Sequence, residues 1–67
     1  MTLRDYIAAT GSTQLAFAIA SGVPYRTVHR VCRGYACELR TALQIERHTR
    51  DHPSPSGEWV TVEELDA

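Results

Sequence analysis

The chain has 67 residues, of which 43% are hydrophobic and 22% are charged. This length allows a single small domain, and the composition is typical of a folded protein rather than of a disordered one. No apolar run approaches the roughly 20 residues that span a bilayer, and the N-terminus lacks a signal-peptide pattern. We therefore expect a cytoplasmic protein. Without a nucleophile and base, a carboxylate pair or a glycine-rich phosphate loop, we expect neither an enzyme nor a cofactor.

The charge is divided unevenly along the chain. Residues 1–50 hold seven arginines and three carboxylates, which gives +4, whereas residues 51–67 hold five carboxylates and no basic residue, which gives −5. The formal net charge of −1 conceals this division. A basic N-terminal part is what nucleic acid would attract.

Two short amphipathic helices are predicted before residue 23. Thr2 is positioned to cap the first, with Asp5 three residues later as in a capping box, and Gly11 ends it. Ser12 or Thr13 is positioned to cap the second, which ends at Gly22 after about eight residues. Its apolar residues are Leu15, Phe17, Ala18 and Ile19.

A third helix is predicted over residues 24–33. Residues that precede proline avoid the helical region, so Val23 should be extended, and Pro24 suits the first helical position. Val28 and Val31 should form the inner face, and Gly34 should follow the end. A fourth helix is predicted over residues 38–49, with inward-facing residues Leu39, Ala42, Leu43, Ile45 and Thr49.

The last part of the chain has a different composition. Residues 51–57 contain two prolines, two serines and a glycine, which predicts a loop. Residues 59–62 are rich in apolar and β-branched side chains and are a candidate short strand or packing arm. We expect Trp59 and Val60 to pack back onto the helices, followed by one turn in which Thr61 and Glu64 form a capping box. The predicted organisation is a domain over residues 1–50 and a loop with an acidic arm over residues 51–67.

Residues 14–33 have the spacing of a helix-turn-helix. Ala18 supplies the small residue where two helices cross closely, and Gly22, four residues later, tolerates the positive φ of the turn. Val28, six residues further on, is placed to lock the second helix onto the first. This agreement of spacing, size and turn chemistry predicts an all-α bundle of four to five helices that contains a helix-turn-helix.

The outer face of the third helix carries the candidate site. An arginine side chain pairs with O6 and N7 of guanine or with a phosphate through two parallel hydrogen bonds, and tyrosine and threonine reach phosphates or thymine methyls. The free amides at the start of the preceding helix suit a phosphate. The predicted DNA-binding residues are Ser12, Thr13, Gln14, Tyr25, Arg26, Thr27, His29, Arg30 and Arg33. Arg40 is expected to be solvent-exposed or to contact phosphate, whereas Arg47, Arg50 and His48 are expected at the surface.

A metal site is not predicted. Cys32 and Cys37 have a spacing that matches no common zinc signature, and the three histidines are scattered along the chain. We expect ordinary thiols instead.

The chain resembles the small Cro-type regulators of phages, and more closely the YdaS-like family of phage and prophage proteins. The resemblance covers nearly the whole chain and rests on Leu3-Arg4-Asp5-Tyr6-Ile7, Phe17-Ala18, Gly22-Val23, Thr27-Val28-His29-Arg30, Thr41-Ala42-Leu43-Gln44-Ile45-Glu46 and Val60-Thr61-Val62-Glu63-Glu64-Leu65. It implies a lambda-repressor-like fold and a DNA-binding transcriptional regulator, in particular a repressor. It also implies a homodimer and, in some members, a toxin-like protein partner.

The resemblance is incomplete at three helix-turn-helix positions. Ser21 stands where a larger aliphatic residue is usual, Pro24 replaces a serine or threonine cap, and Val31 stands where tryptophan is frequent.

One alternative function stays open. The acidic arm with Trp59 also suits a protein-interaction module, such as an antitoxin or anti-repressor, whose main ligand is another protein.

Overall fold

The computed structural model describes residues 1–65, and the regular secondary structure of this part of the chain is helical, without strands. The prediction of an all-α bundle is confirmed. The first four helices follow one another through short connections, and the longer segment of residues 52–61 leads to the fifth. Together they form a globule of about 26 × 22 × 18 Å. They are α1 (Leu3–Ala9), α2 (Gln14–Ser21), α3 (Tyr25–Cys32), α4 (Leu39–Asp51) and α5 (Val62–Leu65).

Local sequence signals account for the ends of the first helices. The Thr2 hydroxyl accepts a hydrogen bond from the Asp5 amide at 3.1 Å, and the Thr13 hydroxyl accepts one from the Ala16 amide at 3.1 Å. Both threonines therefore cap a helix as predicted, and Thr13 rather than Ser12 caps α2.

The third helix begins one residue later than predicted. Pro24 has φ −55° and ψ 139°, so its backbone is extended on its C-terminal side, and it is the N-cap of α3 rather than its first helical residue. At the other end, Arg33 is the C-cap and Cys32 is the last helical residue. The predicted helix over residues 24–33 is thus shorter by one residue at each end.

The core collects apolar side chains from all five helices and from two residues outside them, Val23 and Val60. Val28, Ile45 and Val60 are fully buried at its centre. Among the helix pairs, α2 and α3 pack most extensively against each other. Val31 was predicted to face the core and is only half-buried, packed against the edge of the cluster.

The inner face of α4 differs from the prediction. Ala42, Ile45 and Thr49 are buried, but Leu39 and Leu43 are 65% and 51% exposed. The spacing i, i+3, i+7 of the buried residues defines one stripe of the helix, and the two leucines lie on the neighbouring stripe. Periodicity alone allowed either stripe to face inward, and contacts with the C-terminal arm decide between them.

The C-terminal arm packs back onto α4 without forming a strand. Val60 is fully buried, and its amide donates a hydrogen bond to the Thr49 hydroxyl at 3.1 Å. Trp59, which was predicted to pack inward beside it, is 38% exposed. The arm then continues into α5, which packs against α4 and contributes Leu65 to the core.

Two carboxylates hold the arm in place. The Val62 amide donates to Glu46 Oε2 at 3.0 Å, and Glu64 forms an ion pair with the amino group of Met1. The predicted capping box at Thr61 is not formed, because only the backbone bond from the Glu64 amide to the Thr61 carbonyl is present and the Glu64 carboxylate turns to the N-terminus.

Candidate nucleic-acid interface

The turn between α2 and α3 consists of residues 22–24. Gly22 has φ +76°, a left-handed conformation that side chains other than glycine adopt rarely, and its amide donates to the Ala18 carbonyl at 3.0 Å. Val23 is buried beneath the turn. The two helices are therefore joined by a short, well-defined turn of the kind that the sequence predicts.

Gln44 of α4 supports this turn from outside the motif. Its side-chain amide donates to the Ser21 carbonyl at 2.8 Å, so a carbonyl left unpaired at the end of α2 is satisfied. A Cβ on Gly22 would lie 3.1 Å from Gln44 Nε2. This contact was not predictable from a local pattern, since the two residues are far apart along the chain.

The outer face of α3 is open. Val28 points into the core and is fully buried, whereas the five largest polar side chains of the segment are exposed: Tyr25, Arg26, His29, Arg30 and Arg33. Thr27 is half-buried at the margin of this face. Six of the nine residues predicted to bind DNA therefore lie on one side of α3 and its C-cap.

Gln14 joins this face from the start of α2. Its Oε1 lies 3.0 Å from His29 Nδ1, which makes Nδ1 the donor when the imidazole is neutral. The His29 ring also stacks on Tyr25, with centroids 6.2 Å apart and planes 22° apart. Gln14, His29 and Tyr25 thus form a connected surface across the helix pair.

Ser12 and Thr13 lie beside this surface. The Thr13 hydroxyl is engaged as the cap of α2, and Ser12 donates a long hydrogen bond of 3.4 Å to the Thr13 carbonyl. Both side chains remain outside the core, where they border Gln14 at the start of α2.

Tyr35 extends the surface beyond the predicted residues. The guanidinium carbon of Arg30 lies 5.3 Å from the centre of the Tyr35 ring, a cation–π arrangement, and the Tyr35 amide donates to the Arg30 carbonyl at 3.1 Å. Tyr35 is 55% exposed. An exposed aromatic residue directly after the turn glycine Gly34 was the signal that could have identified it.

The electrostatic character of the surface is positive. Residues 6–37 contain no aspartate or glutamate, and within residues 1–65 the arginines of α3 form no ion pair. Their charge is therefore not neutralised by neighbouring side chains and is directed to solvent.

The remaining titratable side chains lie elsewhere. Burial raises the pKa of the half-buried Cys32 thiol, and the nearby Arg4 opposes this shift. His48, which was expected at the surface, is half-buried, and its ring is nearly perpendicular to that of Phe17, with 5.4 Å between the two ring centroids. Burial lowers the pKa of His48, His52 lowers it further and Asp51 raises it.

Residues 1–65 bring no three histidine, cysteine, aspartate or glutamate side chains together in a way that could hold a metal ion.

Fold and site together define a small helical bundle in which two short helices meet at a tight turn and the second presents a basic, partly aromatic face. None of the described helices is long and apolar enough to cross a membrane. Comparison of the chain with protein-family models, with curated proteins and with solved structures finds no match in any of the three. The resemblance to Cro-type and YdaS-like regulators therefore stays a prediction.

Proposed function

We propose that this protein is a sequence-specific DNA-binding transcriptional regulator, in particular a Cro-like repressor, that inserts α3 into the major groove. The observation that supports this most is the exposed face of α3, which presents Arg26, His29, Arg30 and Arg33 on a short helix free of acidic residues. A helix fits the major groove, and arginine is the side chain best suited to guanine and to phosphate there.

The contact between Gln14 and His29 adds to this proposal. It joins the start of α2 to the middle of the α3 face, so that phosphate contacts from α2 and base contacts from α3 would keep a fixed spacing. Tyr25 and Tyr35 flank the arginines and are placed to contact the sugar-phosphate backbone on either side of the groove.

One eight-residue helix contacts only a few base pairs. We therefore propose that the protein acts as a homodimer on two half-sites about 34 Å apart, one helical turn of DNA. Such an arrangement doubles the specific contacts without enlarging the chain.

Selection of bound duplexes from a random DNA pool, followed by fluorescence anisotropy on the selected site, tests the proposal. Arg30→Ala should weaken specific binding by about 1–3 kcal/mol, a loss of roughly 5- to 150-fold, if Arg30 contacts guanine through two hydrogen bonds. Arg50→Ala removes an exposed arginine near the end of α4 and is the matched control, for which affinity should stay within about twofold.

The salt dependence of binding distinguishes DNA recognition from the protein-interaction alternative. A DNA-binding protein should be retained on heparin and should lose affinity steeply as salt rises, because counterions are released from phosphate contacts. Failure to select any sequence, together with no retention on heparin, would refute the proposal and favour an antitoxin-like or anti-repressor-like module with a protein ligand.

A further inference from the structure

The exposed side of α4 combines apolar and basic side chains, and none of the residues that we assign to DNA lies on it. The α4 surface, as we call it, is a shallow open concavity bordered by Leu39, Leu43, Glu46 and the arginines at positions 40, 47 and 50. Leu39 and Leu43 are each more than half exposed. Because they stand one helical turn apart, they form a continuous apolar patch.

The charge of the α4 surface is positive. Arg40 and Arg47, seven residues apart, follow the side of the helix that faces away from the core, and Arg50 continues the line of the two leucines. All three arginines are exposed, and within residues 1–65 none of them forms an ion pair. Glu46 lies at the opposite margin, where its carboxylate accepts the Val62 amide at 3.0 Å. Three arginines and one carboxylate give the surface a formal charge of +2.

We infer that the α4 surface docks an acidic amphipathic helix of a partner protein. The two leucines pack against the apolar stripe of that helix, and the arginines pair with carboxylates beside the stripe. With 13 residues, α4 is about 20 Å long, enough to seat three turns of a partner helix. No residue of α3 borders this surface, so the docked helix leaves the proposed DNA interface free.

The leucines favour a protein ligand over a second DNA contact. A duplex offers phosphates to its surroundings, and a phosphate backbone gives an exposed leucine no apolar area to pack against. An amphipathic helix uses both kinds of side chain, because its apolar stripe removes the leucines from water while its carboxylates meet the arginines. The apolar patch therefore indicates a protein, and the unpaired arginines around it indicate an acidic one.

The same features disfavour two other occupants. Helices that lie on a membrane bury a broad apolar face in which tryptophan or phenylalanine is common, whereas α4 contains neither of these residues and exposes two leucines. A second copy of the chain would set one surface of charge +2 against another, which is repulsive.

Fluorescence anisotropy on the full chain with a labelled peptide tests the inference. The probe is a peptide of about 20 residues, long enough to be helical, with leucine at every third or fourth position and glutamate at most others. A second peptide has the same composition in scrambled order, so that it keeps the charge and loses the apolar stripe. The first peptide should bind with at least about tenfold higher affinity than the second, because only its leucines can cover the apolar patch.

Two variants and their matched controls locate the contact. Leu43→Asp removes the centre of the apolar patch and adds a negative charge, so it should weaken peptide binding at least about tenfold. Ile19→Asp makes a similar change at a side chain that is 76% exposed on α2 and should leave binding within about twofold. Arg47→Glu should also weaken binding, whereas Arg26→Glu makes the same charge change on α3 and should not. Arg26→Glu should abolish DNA binding if the proposed function is correct.

Three results would overturn the inference. The first is no peptide binding at protein concentrations up to roughly 1 mM, or equal binding of the scrambled peptide, which charge alone would explain. The second is unchanged binding by both Leu43→Asp and Arg47→Glu, with the helical content of each variant verified by circular dichroism. The third is a loss of binding to the selected DNA duplex, or to phosphatidylglycerol vesicles, as large in Leu43→Asp as the loss of peptide binding. That result would assign the surface to DNA or to a membrane. A chain that binds DNA and ignores the peptide leaves the proposed function intact.

Discussion

Thr49→Val is the substitution that best tests how the C-terminal arm is attached to the helices. The Thr49 side chain is fully buried, and its hydroxyl accepts the Val60 amide at 3.1 Å while donating to the Ile45 carbonyl at 2.9 Å. The Val60 carbonyl also lies 3.3 Å from the same oxygen. Valine has nearly the same shape as threonine, so the change removes the hydroxyl without opening a cavity.

The expected loss of stability follows from the amide that is left behind. Val60 is completely shielded from solvent, so its amide would lose its only acceptor in a place that water does not reach. A buried donor without a partner costs about 1–3 kcal/mol. In a domain of this size each kcal/mol lowers the melting temperature by roughly 4–8 °C, so a decrease on the order of 10 °C is expected.

Thermal melts followed by circular dichroism measure this effect, and Thr10→Val is the matched control. The Thr10 hydroxyl donates to the Tyr6 carbonyl at 3.0 Å on an exposed helix end and accepts no buried amide. Its loss should cost less than about 0.5 kcal/mol. Hydrogen exchange provides a second measurement, since the Val60 amide should exchange faster in Thr49→Val. Equal melting temperatures for the two variants, with unchanged protection of Val60, would refute the assigned hydrogen bond.

Two further predictions concern the turn and the response to pH. Gly22→Ala should destabilise the fold more than Gly11→Ala in thermal melts: both backbones have positive φ, but only a Cβ on Gly22 meets a neighbour, Gln44 Nε2 at 3.1 Å. In the folded chain the pKa of His48 lies below its ordinary value of 6.5. The unfolded chain therefore binds the proton at a higher pH than the folded chain does, and the free energy of unfolding decreases as the pH falls through 6.5. His48→Phe preserves the contact with Phe17 and should reduce this dependence in denaturant titrations between about pH 7 and pH 5.

Each of these predictions has a result that would contradict it. Equal destabilisation by the two glycine substitutions would show that the Gln44 side chain moves away from the new Cβ without a loss of stability. For the pH dependence, His29→Gln is the control because His29 is exposed on α3. A profile that is unchanged in His48→Phe and flattened in His29→Gln would show that the wrong histidine had been assigned.

The boundaries of α1 and α2 and the exposed face of α3 were predictable from the sequence because they depend on neighbouring residues, whereas α4, predicted over residues 38–49, extends over Leu39–Asp51. Thr2 and Thr13 cap the amides three residues ahead of them, and Gly22 permits the left-handed turn through its own lack of a side chain. The outward position of Arg26 and Arg30 likewise follows from Val28, since residues on one short helix share a fixed angular relation. Pro24 was misplaced by one residue because a cap and a first helical position suit proline almost equally well.

Only the tertiary structure decided which face of α4 is buried. The sequence predicts that Leu39, Ala42, Leu43, Ile45 and Thr49 all face inward, but these residues lie on two neighbouring stripes, and only the stripe of Ala42, Ile45 and Thr49 is buried. Thr49 is nevertheless buried because its hydroxyl is satisfied by Val60, eleven residues further along the chain. A polar group enters a core only where a partner meets it, and such partners come from residues that no local pattern connects. The same reason explains why the bond from Gln44 to Ser21, which supports the turn of the candidate DNA-binding motif, was not predictable.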